Sequence, residues 1–173
     1  EEGNMDEEGI WKTLEKALRG AAEALTRARI SEGENLQKDL IGKLDGMLEH
    51  VAFIEARAPQ IIAEYRQNLE AKVKELLGDA QVDENRLVME VTIFADKVCV
   101  DEELVRLKSH IETTRKTILE GGSIGRKLDF IAQEMNREAN TILSKASDLE
   151  TSNHAIELKT EIEKVREQIQ NIE

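Results

Sequence analysis

The chain has 173 residues, 40% of them hydrophobic and 35% charged but only 3% aromatic, and it contains one proline, Pro59. Scarce rings and plentiful Glu, Lys, Leu and Ala exclude an aromatic-rich sheet core and favour long helices packed through Leu, Ile and Val stripes, so the expected fold class is all-α. A net charge of −12, from 24 basic and 36 acidic residues, taken alone argues against nucleic-acid binding, because a phosphate backbone is drawn to clustered Lys and Arg; any such grip has to come from local basic patches, from further sequence or from neighbouring subunits.

Residues 1–9 (EEGNMDEEG) read as an acidic, frayed lead-in. Ile10, Leu14, Ala17, Leu18, Ala21 and Leu25 then recur at helical spacing, followed by a second stripe of Leu36, Leu40, Leu44, Met47, Val51 and Ile54. Residues 6–57 are therefore expected to form one long helix, or two with a break near Ser31–Gly33. Pro59 suits the first turn of a new helix, where its missing N–H costs nothing. Ile62, Tyr65, Leu69, Val73 and Leu76 carry that helix to Gly78, a C-cap candidate. The simplest arrangement is a pair of antiparallel arms, 6–57 and 59–77, with a domain boundary at Gly78–Asp83. That divides the chain into a helical arm or linker region, 1–82, and a C-terminal helical domain, 83–173.

In the second region Leu87, Val91, Phe94 and Val98 form one helical face, and Leu104, Leu107, Ile111 and Ile118 another. Asp101 is the expected N-cap of the latter, with Glu102 and Glu103 in its first turn. Gly121-Gly122-Ser123 stops that helix, and Ser123 is expected to cap the next, whose core face is Leu128, Ile131, Met135 and Ile142. Leu158, Ile162, Val165, Ile169 and Ile172 repeat at three- and four-residue spacing, a short coiled-coil seam for another helix or another chain.

No apolar run approaches the length of a membrane span and no signal peptide is visible. The lone Cys99 cannot form an intrachain disulfide, and no zinc spacing exists, which fits a reducing compartment. Opening on Glu1, the chain is expected to be part of a longer protein.

The stretch Gly125–Lys145 carries the most chemistry. Glu138 falls in the apolar stripe between Met135 and Ile142, where a carboxylate has to be paired, protonated or metal-bound. Glu134 lies one turn earlier, and i, i+4 carboxylates can share a cation. The plainer reading, favoured by periodicity alone, is a salt bridge from Glu138 to Arg106, Arg137 or Lys145. Arg126, Gln133, Arg137, Asn140 and Ser144 share another face, whose forked donors suit phosphate oxygens or, more plainly, a solvated flank. Glu103, Arg106 and His110 share one side of the preceding helix; a neutral His there can ligate a metal or move protons, although a lone His is more often structural. His50 and His154 have no such company. The run Gly121–Gly125 lacks P-loop spacing, and stacking platforms for bases are nearly absent.

The strings DENRLVMEV (83–91), ADKVCVDEELVRLKSH (95–110), GRKLDFIAQEMNREANTILSK (125–145) and ELKTEIEKVREQIQNIE (157–173) closely resemble the C-terminal domain of the YicC-like endoribonuclease family, and EGENLQKDL (32–40) with the Pro59 region resembles the helical part upstream. The resemblance implies a bacterial cytoplasmic protein with a further N-terminal α/β domain, working as a homo-oligomeric, hexameric ring that cleaves single-stranded RNA with Mn²⁺ or Mg²⁺. Carried onto this sequence, it marks Glu102, Glu103, His110, Asp129, Glu134 and Glu138 as the acidic or metal-linked set, and Arg106, Arg126, Lys127, Arg137 and Lys145 as the basic set for RNA phosphates. From their chemistry, Glu134, Glu138 and His110 are the candidate catalytic groups, and Glu102, Glu103, Asp129 and Glu138 the candidate metal ligands. Cys99 departs from the family pattern, in which an Asp often stands. The alternative is a helical scaffold whose chemistry lies in the rest of the protein.

Overall fold

The computed structural model describes residues 6–78 and 83–172. Five helices follow one another: α1 (Glu7–Leu77), α2 (Glu84–Val98), α3 (Asp101–Glu120), α4 (Gly125–Lys145) and α5 (Leu149–Ile169), with no strand among the described residues. The all-α class is as the composition requires. The expected lead-in and the Gly78–Asp83 boundary fall partly outside the described residues, at 1–5 and 79–82. Within them Asp6 caps α1, its Oδ1 accepting from the N–H of Gly9 at 3.0 Å, so residues 7–9 are helical rather than frayed.

The chain divides into two units, one ending at Asp39 and one beginning at Leu40. In the first unit there is no break at Ser31–Gly33, and Ile10, Trp11, Leu14, Leu18, Leu25 and Ile30 all stand exposed. Periodicity there makes an amphipathic helix, but its apolar side has no cover among the described residues.

The second unit holds the core. Leu40, Leu44, Met47, Val51 and Ile54 of α1 are buried together with Leu104, Leu107, Ile111 and Ile118 of α3, Leu128, Ile131, Met135, Ala139 and Ile142 of α4, and Ala155, Leu158, Ile162, Val165 and Ile169 of α5. Each large aliphatic side chain taken fully out of water contributes about 1.5–3 kcal/mol, so these stripes dominate the stability of the bundle. Helix α4 packs against both α3 and α5. The buried face of α5, Thr151, Ala155, Leu158, Ile162, Val165 and Ile169, has the alternating spacing of a heptad seam. Within this chain the seam is taken up by α4.

Three local expectations are corrected. Pro59 does not begin a helix: α1 passes through it, and the turn between antiparallel arms is not made there. Proline inside a helix costs about 3 kcal/mol through a lost hydrogen bond and a steric clash. Here the helix is held on both sides, by the buried stripe ending at Ile54 and by Tyr65, whose ring stacks on Phe94 of α2 at 3.8 Å. Asp101 is the first helical residue of α3; the N-cap position is Val100, without a side-chain cap bond. Likewise Ile124, not Ser123, takes the N-cap position of α4. Gly78 ends α1 as expected, at φ 59° with its N–H on the Lys74 carbonyl at 3.1 Å. The turn into α4 uses positive φ at Gly121 and Gly122 (69° and 87°), a region that side-chain-bearing residues rarely enter.

Candidate functional site

Three of the carboxylates expected to matter, Glu102, Glu103 and Glu138, lie where α3 runs antiparallel to α4. Arg106 of α3 is at the centre: its Nε donates to Glu138 Oε1 of α4 at 2.9 Å and its Nη1 to Glu102 Oε2 at 3.2 Å, while Nη2 stands 3.6 Å from Glu103. Lys145, near the end of α4, donates to Glu103 Oε1 and to the Cys99 carbonyl, both at 3.0 Å. Of the three partners anticipated for Glu138, Arg106 is the one found. Burial pushes the Glu103 carboxyl up, but its hydrogen bond from Lys145, its own backbone N–H and the nearby Arg106 outweigh burial and hold it below the ordinary carboxylate range. The Glu138 hydrogen bond, above all, raises Arg106. Glu102, Glu103, Arg106, Glu138 and Lys145 therefore form a polar strut between two helices, with Glu103 only 6% exposed.

The remaining expected residues go elsewhere. Asp129 bonds to Arg166 Nε of α5 at 3.1 Å and to Gln133 at 2.8 Å, away from the strut. Glu134 accepts from Arg137, one turn on, at 2.9 Å. His110 is half-buried and has no hydrogen-bond partner among the described residues. The antiparallel register that sets Glu138 against Arg106 brings His110, four residues further along α3, level with Glu134, four residues earlier on α4. His110 and Glu134 thus occupy neighbouring turns of adjacent helices.

A divalent cation needs several oxygen or nitrogen ligands converging on one point. Among the described residues no three or more His, Cys, Asp or Glu side chains are placed to hold one, and the carboxylates of the strut already have Arg106 and Lys145 as counter-charges. The residues expected as metal ligands, Glu102, Glu103, Asp129 and Glu138, do not converge on one point with other such ligands among the described residues.

The exposed side of α4 is of a different kind. Arg126, Phe130, Gln133, Arg137, Asn140 and Ser144 are all exposed and follow one another at four- and three-residue steps, which align them along one face. Lys127 flanks it. No carboxylate falls in this stripe; Asp129 and Glu134, at its two edges, are paired with Arg166 and Arg137. In a chain of net charge −12, this face is locally basic and rich in donors. Of the expected phosphate-binding set, Arg126, Lys127 and Arg137 lie here, whereas Arg106 and Lys145 are engaged in the strut.

His50 of α1 and His154 of α5, expected to stand without company, meet each other with 2.8 Å between their Nδ1 atoms, and the His154 ring stacks on Phe53 at 3.7 Å. Burial, then the neighbouring His50, lower the pKa of His154, against smaller opposing effects of Glu150 and Glu157. Next to them Arg57, raised chiefly by Glu64 and then Asp148, ties α1 to the start of α5 through Asp148 (3.1 Å) and Glu150 (3.3 Å). Phe53 and His50 are one turn apart, as are His154 and Glu150, but only the packing of α1 on α5 shows that the two sets meet.

Comparison with known proteins places these residues in context. The family described as endoribonuclease YicC-like, C-terminal, matches residues 54–173. A protein of Clostridioides difficile (strain 630) named "Probable endoribonuclease YicC" is 46% identical over 174 aligned residues, covering 100% of this chain and 59% of its own length. A protein of the same name from Haemophilus influenzae is 36% identical over 142 residues, 82% of this chain and 49% of its own. The chain thus spans about half to three-fifths of the length of these relatives.

Proposed function

Starting from the chain's membership of the YicC-like endoribonuclease family, we propose that it is the helical part of a bacterial cytoplasmic enzyme that hydrolyses phosphodiester bonds of single-stranded RNA, and that it receives RNA on the exposed face of α4. One observation carries this reading: the exposed stripe Arg126–Arg137 of α4 presents two guanidinium groups and no carboxylate, and it is lined by further donors at Gln133 and Asn140. Forked guanidinium groups match phosphate oxygens, and a local patch of this kind is what an acidic protein needs to hold a polyanion.

His110 and Glu134 are the groups best placed to move protons beside that face. They stand level on adjacent helices, and Glu134 is already hydrogen-bonded to Arg137, which borders the RNA. An imidazole and a carboxylate within reach of a bound phosphodiester can deprotonate the attacking oxygen and protonate the leaving one, while Arg137 neutralises developing charge. Glu138 is given a supporting role as the anchor of Arg106. The enzyme's use of Mn²⁺ or Mg²⁺ stays part of the proposal for the whole protein. Its ligands then come from beyond these residues or from another copy, because the strut offers no seat. A homo-hexameric ring in RNA decay or stress response is likewise proposed for the whole protein; the uncovered apolar residues of α1 between Ile10 and Ile30 support self-assembly.

The test is cleavage of a labelled single-stranded RNA by the protein at the length of its relatives. Glu134→Gln and His110→Asn are each expected to slow cutting about 10²–10⁴-fold, the usual contribution of a general acid or base, with RNA binding kept. Full activity in both variants sinks the assignment. Loss in Glu138→Gln alone, with unchanged folding, moves the chemistry into the strut.

A further inference from the structure

Five aromatic residues occur in the chain, four of them at or beyond Leu40: Phe53, Tyr65, Phe94 and Phe130. Phe53 stacks on His154, and Tyr65 and Phe94 stack on each other. Phe130 has no ring partner among the described residues and is 63% exposed on α4. A single exposed apolar side chain needs no explanation by itself; its company is what singles Phe130 out. One turn before it is Arg126, one turn after it Gln133, and two turns after it Arg137, all on the same exposed face. At 1.5 Å rise per residue the two arginines bracket the ring at about 6 Å and about 10 Å along the axis.

Resting on the reading of this face as the RNA side, we propose that Phe130 is a base-stacking residue: an unpaired base lies on its ring while Arg126 and Arg137 hold phosphates on either side. Every base has a π-face, so such a contact tolerates sequence but demands that the base be unpaired. Phe130 thereby favours single-stranded over duplex RNA, whose bases are already stacked and paired. The basic and amide donors around the ring favour a polyanion over an apolar protein surface as its occupant. Composition leaves no room for a platform of several rings, and the proposal asks for only one.

The experiment is fluorescence anisotropy of a labelled single-stranded RNA of about 12 nucleotides, within the usual span of such sites, and of a matched duplex, with this chain and its variants at low salt. Phe130→Ala and Phe130→Leu are expected to weaken single-strand binding about tenfold and to leave duplex binding unchanged, with helicity by circular dichroism intact. Phe130→Trp in a Trp11→Phe background should keep the affinity, and its fluorescence should be quenched on RNA binding. Wild-type affinity in Phe130→Ala or Phe130→Leu, with loss in Arg126→Glu/Arg137→Glu, overturns the stacking role and leaves the RNA face standing. Failure of the wild-type chain to bind either RNA overturns both.

Discussion

The two sides of α4 carry similar residues and put them to opposite uses. Toward α3, Glu138 and Lys145 meet Arg106 and Glu103, and every charge has a partner. Toward solvent, Arg126 and Lys127 face open water, and Arg137 has only Glu134. Composition alone does not separate these sides, since both are built from Glu, Arg and Lys. What separates them is whether a neighbouring helix supplies the opposite charge: where it does, the residue stabilises the fold, and where it does not, the residue is open to a ligand.

Breaking the inner side should unfold, not inactivate. Lys145→Met takes the hydrogen-bonded counter-charge from the Glu103 carboxylate at 6% exposure, leaving it Arg106 at 3.6 Å, and should cost about 1–3 kcal/mol, the usual penalty for a buried group that loses its hydrogen-bond partner. Urea denaturation measures it. Glu103→Gln added to Lys145→Met should recover part of the loss, and no recovery would mean that Lys145 acts mainly through the Cys99 carbonyl.

A smaller effect sharpens the contrast from a third place, the α1–α5 contact. The folded-state pKa of His154 lies below its ordinary value of 6.5, so between the two values the unfolded chain holds more protons than the folded one. Stability from this group is present above pH 6.5 and is lost as pH falls toward the folded value. Thermal unfolding followed from pH 7.5 to 5.5 should show a falling midpoint, and His154→Gln should flatten that fall. An equal fall in the variant would assign the acid sensitivity elsewhere. The carboxyl of Glu103 adds its own loss only in a more acidic window, below 4.5.

Much of the fold was legible because apolar periodicity is a direct image of burial. Leu40, Leu44, Met47, Val51 and Ile54, and the seam from Leu158 to Ile169, are buried where their spacing puts them. The expected turn at Pro59 was not, since a local preference of a few kcal/mol yields to packing on both flanks. Asp101 and Ser123 have the chemistry of caps, yet each helix starts one residue away from the expected point. For the site, Glu138 in an apolar stripe rightly announced a partner, and the Arg126 face was visible as a row of donors. His50 and His154, 104 positions apart, left no signal, because no local pattern encodes which distant turns of two helices will meet. The same holds for Lys145: its charge suggested a phosphate, and only the register of α3 on α4 shows Glu103 as its neighbour.

The most direct test of the distinction between the two sides is single-stranded RNA binding by Arg126→Glu/Arg137→Glu beside Arg106→Gln, with salt varied. The outer pair should lose affinity on the order of a hundredfold and flatten the salt dependence, as expected when phosphate contacts are removed. Arg106→Gln should bind normally while unfolding more easily. Equal affinity in the outer double variant and the wild type, or a loss confined to Arg106→Gln, would contradict the account and place the RNA on the strut instead.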